Sequence, residues 1–282
     1  TLFPYTTLFR SASAEVGGQF NIAKQIPGKE EFYETIRYFA RQLELKGVTL
    51  KLNHKASREQ LEADGFDEVI IATGIAPRKP PIKGINHPKV LSYIDVLRDK
   101  KSVGNRVAVI GAGGIGMDTS EYLTHDPHHV PASLDIDTYL REWGIDKTLQ
   151  ARSGIEGVAE EVDVSPREVY LMQRKNKKIT GPGKTTGWAH RAVLLKKGVH
   201  MITGVEYNKI DGEGIHITVN GESQLLAVDN VIICAGQEPQ RELQAAIEGL
   251  GKKVHLIGGA DVAAELDAKR AIRQGAELAA AI

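Results

Sequence analysis

The sequence predicts an α/β fold with parallel sheets and a small antiparallel meander, and two observations carry this prediction. An apolar strand at residues 107–110 runs directly into a glycine-rich turn. A pattern of apolar strand followed by small residues occurs twice, at 67–74 and at 229–236. Buried strands of this kind, alternating with helical segments, are typical of parallel sheets that are covered by helices.

The glycine-rich turn has the G-x-G-x-x-G spacing of a dinucleotide-binding site, with Gly111, Gly113 and Gly116 at the glycine positions. In such a turn the first glycine allows the tight bend, the second lets the backbone approach a pyrophosphate, and the third lets helix and strand pack closely. The helix that we expect over residues 115–123 would point its N-terminal amides at the phosphates. Strand, turn and helix in this order favour dinucleotide binding over a plain glycine-rich turn.

The elements before and after this turn are predicted from periodicity and from turn residues. Apolar residues at helical spacing indicate a first helix over 30–46, and Ser92 with an aspartate three residues later indicates a capped short helix. The proline-rich stretch 77–81 is interpreted as a connector between domains. Residues 125–166 have weak periodicity, with some helix near 134–143, and are interpreted as an insertion.

A meander is predicted after the insertion, because Asn220-Gly221 favours a type I′ hairpin turn between alternating strands. The remaining elements are short apolar strands and two further helices, one at 187–197 and an alanine-rich one that closes the chain. The predicted strands are 48–52, 67–71, 168–172, 205–210, 215–219, 224–228, 229–234 and 254–257.

Composition excludes several classes of function. Lysine plus arginine and aspartate plus glutamate number 36 each, so the net charge of zero favours neither nucleic acid nor an anionic membrane surface as a partner. No apolar run approaches the length of a membrane span. The single cysteine, Cys234, excludes an internal disulfide, a C-x-x-C redox pair and a four-cysteine metal or cluster site in this chain. We expect a reducing, cytoplasmic setting.

The segment at the start of the chain, residues 1–11, looks foreign to the fold. It has no basic region, continuous apolar core or cleavage site, so it is not interpreted as a secretory signal. It resembles a translated sequencing-adapter artefact, and we leave it out of the fold prediction. We therefore expect the chain to be a fragment that begins within a domain.

Longer runs of the sequence resemble the flavin disulfide reductase superfamily, whose members carry two dinucleotide-binding domains. Within it, the resemblance is to bacterial NADPH-dependent 2,4-dienoyl-CoA reductases of the iron–sulfur type. It extends from about residue 14 to the C-terminus, and its most specific parts are the long run 17–32 and a Gly-Lys-Thr-Thr-Gly-Trp element. The segments that carry it are 17–32, 89–97, 183–188, 254–261 and 265–268.

The resemblance implies an electron relay from NADPH to FAD, then through a 4Fe–4S cluster to FMN, which reduces a 2,4-dienoyl-CoA. In the family, FMN and substrate belong to an N-terminal barrel and the cluster to a cysteine-rich segment. We expect this chain to lack both, together with the first strand and glycine-rich turn of the FAD domain. It would be the C-terminal FAD/NADPH part, and no catalytic side chain or metal ligand is predicted in it, because the cofactors carry the reaction.

The implied domain organisation is discontinuous. Two Rossmann-like domains are expected: a partial FAD domain at 12–104 and 229–282, and an NADPH domain inserted at 105–228 that contains the insertion 125–166. The glycine-rich turn belongs to the inserted domain. The oligomeric state is left open.

The preference for NADPH is predicted from the residues that follow the strand at 168–172. An acidic residue at that point would bind the ribose 2′-hydroxyl of NAD, whereas Arg174 and Lys175 suit the 2′-phosphate of NADP(H). Because Lys177 and Lys178 follow, a solvated basic patch is the alternative interpretation.

The residues predicted to contact FAD come from the resemblance and from the two small-residue turns, where backbone can approach a ligand closely. Asp261 matches the aspartate that accepts a hydrogen bond from the ribityl chain, although it also suits a helix N-cap. Ala268 would bring the dipole of the last helix towards the isoalloxazine. The full set is Gly18, Gln19, Lys24, Lys29, Ala56, Thr73, Gly74, Gly236, Gly259, Asp261 and Ala268.

Other chemistries are less well supported. The segment 183–187 lacks the spacing of a nucleoside-triphosphatase phosphate loop. His125, His128 and His129 have no partner cysteine and are interpreted as surface residues rather than a metal site. The alternatives that stay open are an enoate reductase, a trimethylamine dehydrogenase-like protein, and a non-catalytic nucleotide-binding fragment.

Overall fold

The computed structural model describes residues 8–181, 183, 185–263 and 268–282, and it divides into two compact units. The first unit contains the described residues up to Asn21 together with Phe32–Arg78 and Gly236–Ile282. The second contains Ile22–Glu31 and Lys79–Ala235. One boundary therefore falls within the proline-rich stretch 77–81. The predicted domain limits at 104/105 and 228/229 differ from these contact-based limits and stay predictions.

The elements follow the chain in an alternation of short strands and helices. Within the described residues the strands are β1 (Leu8–Arg10), β2 (Thr49–Lys51), β3 (Glu68–Ile71), β4 (Ile75–Pro77), β5 (Val90–Ser92), β6 (Arg106–Ile110), β7 (Glu168–Met172), β8 (His200–Ile202), β9 (Val205–Asp211), β10 (Gly214–Val219), β11 (Glu222–Leu226), β12 (Asn230–Ile233), β13 (Gln237–Pro239) and β14 (Lys253–Leu256). The α-helices are α1 (Phe20–Ala23), α2 (Phe32–Leu45), α3 (Arg58–Ala63), α4 (Tyr93–Leu97), α5 (Gly114–Thr124), α6 (Ile136–Glu142), α7 (Gly187–Lys196), α8 (Glu242–Ile247) and α9 (Ala268–Ala281).

The second unit is built on a five-stranded parallel sheet with the order β5-β12-β6-β7-β8. Successive side chains of a strand point to opposite faces, and both faces of β6 are apolar. Val107 and Val109 pack in a cluster that includes residues of α4, α5 and α7. Ala108 and Ile110 pack in a second cluster with the meander. A strand that is buried on both faces has a continuous apolar sequence, and such a run is what predicted β6.

The antiparallel meander of the second unit has the order β11-β10-β9. Asn220 and Gly221 connect β10 to β11 with φ angles of 52° and 84°. Two consecutive positive φ angles are the requirement of a type I′ turn, so the predicted hairpin is confirmed. The capping box at Ser92 is confirmed as well, because its hydroxyl accepts a hydrogen bond from Asp95 N while the Asp95 carboxylate accepts one from Ser92 N.

The first unit contains three two-stranded sheets: β1 with β2 and β14 with β3, both parallel, and β13 with β4, antiparallel. Its described residues form one small buried cluster of Leu61, Ile71, Ile247 and Ala260. The leader omitted from the prediction contributes to this unit, because Leu8–Arg10 pairs with β2 in parallel register. Leaving residues 1–11 out of the fold prediction was therefore wrong for β1. The artefactual origin of the segment stays a prediction.

The predicted α/β class, with parallel sheets and an antiparallel meander, is confirmed. Two parts of the resemblance, Lys184 and residues 265–267, lie outside the described residues. In the insertion 125–166, the predicted helical part corresponds to α6, which is followed by a 3₁₀ turn at Arg152–Gly154. Within the described part of the chain, no helix combines the length and the apolar character that crossing a bilayer requires.

Candidate functional site

The glycine-rich turn lies at the carboxyl edge of the five-stranded sheet. Gly111 follows β6 with a φ of 108°, a conformation that residues with a Cβ atom rarely adopt, and its N–H donates to Met172 O at 2.9 Å. Helix α5 begins at Gly114 with Gly113 as its N-cap residue. Because glycine has no side chain to cap the helix, the first amides of α5 are left for a ligand.

The three glycines differ in the space around them. A Cβ atom at Gly116 would lie 1.7 Å from Gly111 O, and one at Gly111 would lie 2.7 Å from Cys234 O. These two glycines therefore permit the close approach of α5 and of the turn after β12. At Gly113 a Cβ atom would meet nothing within 4 Å, so open space lies in front of the helix N-terminus. An anion in that space would meet amide donors and the positive end of the helix dipole.

Arg174 and Lys175 lie in the loop that leaves the neighbouring strand β7 at the same edge, because Ile110 pairs with Met172 in parallel register. The Gln173 amide group donates to Lys175 O and Lys177 O and so curls this loop. The loop is also tied to the start of β9, since Val205 N donates to Gln173 O at 3.0 Å. The side chains of Arg174 and Lys175 remain exposed at the edge.

Further basic residues follow Arg174 in the loop, at Lys175, Lys177 and Lys178. Burial raises the pKa of the Tyr207 phenol on β9, and the Arg174 charge acts in the opposite direction. Tyr207 Oη is buried without a hydrogen-bond partner among the described residues. The edge therefore offers cations for a phosphate, and no carboxylate stands at the end of β7 where a ribose diol would need one.

Helix α5 is fixed to α7 by a buried ion pair. Glu121 Oε1 accepts a hydrogen bond from Lys197 Nζ at 2.7 Å, and the two side chains are 9% and 7% exposed. The other oxygen, Oε2, lies 3.9 Å from His190 Nε2. Removing one partner of such a pair strongly destabilises a protein, because the other charge stays buried without a partner. The pair therefore helps to hold the helix that carries the glycine-rich turn.

In the first unit, two small-residue turns come together. Gly74 follows β3 and Gly259 follows β14, and these strands are paired. A Cβ atom at Gly259 would lie 2.7 Å from Ile75 Cγ2 and 3.2 Å from Gly74 C, so glycine permits the contact. Thr73 Oγ1 donates to Gln240 O at 2.5 Å, which joins the β3 turn to the segment after β13.

The turn that contains Asp261 is held by three side chains that sequence reasoning missed. Arg241 Nε donates to Ala260 O at 2.7 Å and its Nη2 donates to Asp261 O. Gln274 Nε2 donates to Asp261 Oδ2 at 2.7 Å, while Gln274 Oε1 accepts from Gly258 N at 2.8 Å. Arg270 Nη2 donates to Val262 O at 2.7 Å. The available signal was helical spacing, because residues 270 and 274 are one turn apart on α9.

The other predicted FAD contacts are dispersed. Gly18 and Gln19 are exposed residues just before α1, and Ala56 precedes Ser57, the N-cap residue of α3. A Cβ atom at Gly236 would lie 2.7 Å from the Arg78 guanidinium, and Ala268 is the exposed first residue of α9.

Lys24 and Lys29 belong to the second unit, whereas the Asp261 turn belongs to the first. Lys29 Nζ donates to Asp118 Oδ2 at 2.6 Å, on the helix of the glycine-rich turn. Its carboxylate partner gives Lys29 a role within the second unit, and contact of either lysine with FAD stays a prediction.

Two side-chain groups outside these turns have potential chemistry. Burial raises the pKa of the Cys234 thiol to about 12, which disfavours a thiolate nucleophile at neutral pH. Asp211, Glu213 and His216 are close enough to share a cation, but Asp211 Oδ2 already accepts hydrogen bonds from Lys209 and His216, both at 2.8 Å. This group lies in the β9–β10 turn, away from the glycine-rich edge.

Residues 6–269 match the pyridine nucleotide-disulphide oxidoreductase family. The chain belongs to this family. Membership implies FAD and NAD(P)H as cofactors and an oxidoreductase activity. The Gly111–Gly116 turn and the turns at Gly74 and Gly259 all lie within the matched residues.

Several curated relatives of this chain are reductases. The chain is 27% identical to a metal reductase from Desulforamulus reducens over 256 residues, and 26% identical to a bilirubin reductase from Mediterraneibacter gnavus over 261 residues. A cinnamate reductase from Clostridium sporogenes is 25% identical over 244 residues. The matches cover 88%, 92% and 83% of this chain but only 36%, 34% and 29% of the relatives, so the chain spans about a third of their length.

Solved structures share the fold of this oxidoreductase. A 2-naphthoyl-CoA reductase aligns with a TM-score of 0.79 at 24% identity and covers 99% of this chain and 36% of its own. Histamine dehydrogenase from Rhizobium sp. 4-9 aligns with a TM-score of 0.71 at 16% identity and covers 98% of this chain and 40% of its own. At these identities the likeness extends to the fold alone.

Proposed function

We propose that the chain is the NADPH:FAD oxidoreductase part of a larger reductase, and that NADPH binds at the glycine-rich edge of the second unit. The observation that carries this proposal is the pairing of β6 with β7, which brings the Gly111–Gly116 turn and the Arg174-Lys175 pair to one edge. Amides of α5 would bind the pyrophosphate. The Arg174 guanidinium and Lys175 ammonium would bind the 2′-phosphate, where two charge-assisted hydrogen bonds replace the diol recognition of NAD.

FAD is proposed to bind in the first unit at the turns around Gly74 and Gly259, with Asp261 as the acceptor for its ribityl chain. Glycine at these two positions keeps both turns free of side chains of their own, and a Cβ atom at Gly74 would meet nothing within 4 Å, which suits close approach of a cofactor. When bound, FAD would supply hydride acceptance and release of single electrons. The residues of this chain would bind and orient both cofactors.

The electrons are proposed to pass onward to a 4Fe–4S cluster and FMN outside this chain, for reduction of a 2,4-dienoyl-CoA. Three things support this assignment: the resemblance over residues 17–32 and 89–97, the presence of the insertion 125–166, and the reductase relatives, which are about three times as long. NADP(H) would be the partner that this chain itself binds.

A second candidate is an enoate-type reductase, which the cinnamate reductase relative favours. The FAD and NADPH roles would be the same and only the final acceptor would differ. A trimethylamine dehydrogenase-like protein is disfavoured by Arg174 and Lys175, which would form a nicotinamide-nucleotide site that such a protein does not need. A nucleotide-binding fragment without redox activity is the remaining alternative, because the first unit has a small core.

The proposal is tested by cofactor titration of the purified chain. We expect a flavin-containing protein that NADPH bleaches and NADH does not. Replacing both Arg174 and Lys175 with alanine should weaken NADPH binding about 10- to 100-fold, the loss expected for about 1.5–3 kcal/mol of charged hydrogen bonding. NADH binding should be unchanged.

The matched control replaces Lys177 and Lys178, which are exposed residues of the same loop, with alanine. If the loop is only a basic patch, the control will weaken NADPH binding as much as the Arg174/Lys175 variant. Binding of NADPH without flavin would restrict the proposal to the second unit. Binding of neither cofactor would overturn it.

A further inference from the structure

Gln274 contacts both ends of the turn that carries the proposed flavin aspartate. The turn begins at Gly258, whose N–H donates to Gln274 Oε1 at 2.8 Å, and ends at Asp261, whose Oδ2 accepts from Gln274 Nε2 at 2.7 Å. The amide oxygen of Gln274 therefore accepts from the backbone, and its amide nitrogen donates to the Asp261 carboxylate. A glutamine fits this double contact because it has a donor and an acceptor on the same planar group.

The contact leaves one carboxylate oxygen available. Among the described residues, Asp261 Oδ1 makes no hydrogen bond, while Oδ2 is bound to Gln274. A carboxylate that is fixed through one oxygen presents the other in a defined direction. Fixing an acceptor before the ligand arrives lowers the entropy that binding costs.

The carbonyl groups of the same turn are held by different side chains. Arg241 donates to the carbonyl oxygens of Ala260 and Asp261, and Arg270 donates to that of Val262. The path of the turn therefore depends mainly on the two arginines, and the orientation of the Asp261 carboxylate depends on Gln274. This division means that a change at Gln274 can alter ligand recognition while the turn stays in place.

We propose that Gln274 is the positioning residue for Asp261, and that it orients the carboxylate so that Oδ1 accepts a hydrogen bond from a hydroxyl group of the FAD ribityl chain. The inference rests on the proposed FAD site in the first unit. It assigns Gln274 no contact with the reacting atoms.

Two substitutions test the proposal. Gln274→Leu keeps a similar shape and removes both hydrogen bonds. Gln274→Glu removes the donor at neutral pH and places a second carboxylate beside Asp261, but the introduced carboxyl group can donate again once it is protonated. The control is Arg273→Ala, because Arg273 is the preceding residue of α9 and its side chain is 75% exposed and paired with Glu277.

The first measurement is FAD affinity of the full chain by flavin fluorescence. Gln274→Leu should weaken FAD binding about 10-fold, which corresponds to the loss of the one charge-assisted hydrogen bond that orients the Asp261 carboxylate. Gln274→Glu should bind FAD more weakly still at pH 8. On acidification to pH 5 its FAD affinity should recover towards that of the wild type at pH 5. A merely structural role would not produce this recovery, since only protonation restores the donor. Arg273→Ala should bind FAD like the wild type.

The second measurement needs no cofactor. Amide exchange of Gly258, followed by NMR on the chain without FAD, should be at least several-fold faster in Gln274→Leu, because the acceptor of that amide is gone. Amides of β3 should be unaffected.

The outcomes separate the two proposals. If the wild-type chain binds no FAD, the proposed function fails for the first unit and the role of Gln274 fails with it. If the wild type binds FAD but Gln274→Leu and Gln274→Glu bind equally well, the inference is overturned and the proposed function stands. A loss of affinity that follows the thermal unfolding temperature in both variants, with no recovery at pH 5, also overturns the inference.

Discussion

The two units of the chain hold their proposed nucleotide-binding turns in different ways. In the second unit, clusters of fifteen and eleven buried residues cover the two faces of the parallel sheet, and α5 is buried along most of its length. In the first unit the described residues form a cluster of only four, and none of the described residues of α2 or α9 is buried. The glycine-rich turn thus rests on a packed core, whereas the Asp261 turn is held by side-chain hydrogen bonds.

This difference indicates where each site is vulnerable. Burial of an apolar side chain contributes about 1.5–3 kcal/mol, so the second unit has a large reserve of stability and is damaged mainly by steric conflict or an unpaired buried charge. A hydrogen bond contributes about 1 kcal/mol net, and the first unit depends on a few of them. Both tryptophans, Trp143 and Trp188, lie in the second unit, so tryptophan fluorescence reports the unfolding of that unit.

The largest effect is expected from Gly116→Ala. The new methyl group would overlap Gly111 O, which lies 1.7 Å from the ideal Cβ position. Because Gly111 O is a backbone atom, a change of side-chain rotamer cannot relieve the overlap. We expect a loss of about 3 kcal/mol or more in the free energy of unfolding of the second unit, together with loss of NADPH binding. Urea unfolding followed by tryptophan fluorescence measures the first effect.

Gly113→Ala is the control for this prediction, because its methyl group would meet no atom within 4 Å. It should change stability by about 1 kcal/mol at most, the size of an N-cap change, yet weaken NADPH binding by occupying the phosphate space. Equal loss of stability in the two variants would contradict the packing argument.

A slightly smaller effect is expected from Lys197→Met, which leaves the buried Glu121 carboxylate without its partner. The free energy of unfolding should fall by about 3 kcal/mol, and the double variant Glu121→Leu/Lys197→Met should recover most of it, because a matched apolar pair has no charge to bury. Urea unfolding of the single and double variants measures both values.

The comparison in the first unit is the exposed pair of Arg273 and Glu277, whose side chains are 75% and 61% exposed. Arg273→Ala should leave the free energy of unfolding close to that of the wild type, because an exposed pair is screened by solvent. If the two pairs cost the same, burial is not what distinguishes them.

A smaller effect than that of Lys197→Met is expected from the loss of the Asp95 charge. Burial opposes ionisation of Asp95, but hydrogen bonds from Lys101 and Ser92 and the charge of Lys101 outweigh it and hold the pKa of Asp95 at about 2. Because this pKa lies below the ordinary value of 3.8, the carboxylate stabilises the second unit above about pH 4, and that stability is lost as the pH falls through 2. Asp95→Asn should lower the free energy of unfolding by about 1–2 kcal/mol at pH 7 and flatten its dependence on pH between 4 and 2.

The first-unit counterpart is Glu68, whose pKa is lowered by its hydrogen bond with His255. Because the Glu68 side chain is more exposed than that of Asp95, at 34% against 24%, Glu68→Gln should change the acid sensitivity less than Asp95→Asn does. An equal change would show that the Glu68–His255 pair contributes as much as the capping box.

Much of the second unit was predictable because its signals are local. The apolar run of β6, the spacing of Gly111, Gly113 and Gly116, and the Asn220-Gly221 turn each depend on residues close in sequence, and all three elements formed where they were expected. The insertion was less predictable. Its α6 begins at Ile136 with Asp135 as the cap, but an exposed, polar segment carries little periodicity to define its limits.

The sequence by itself determined the α/β class, the strands of four or more residues and the glycine-rich turn, since short-range periodicity and glycine conformation specify them. Only the tertiary structure decided which distant groups meet. It placed Lys29 on Asp118, Lys197 on Glu121 and Gln274 on Asp261. Contacts such as the first two, 89 and 76 residues apart, leave no local pattern, because they arise when packed elements bring their polar groups together and burial requires each group to find a partner.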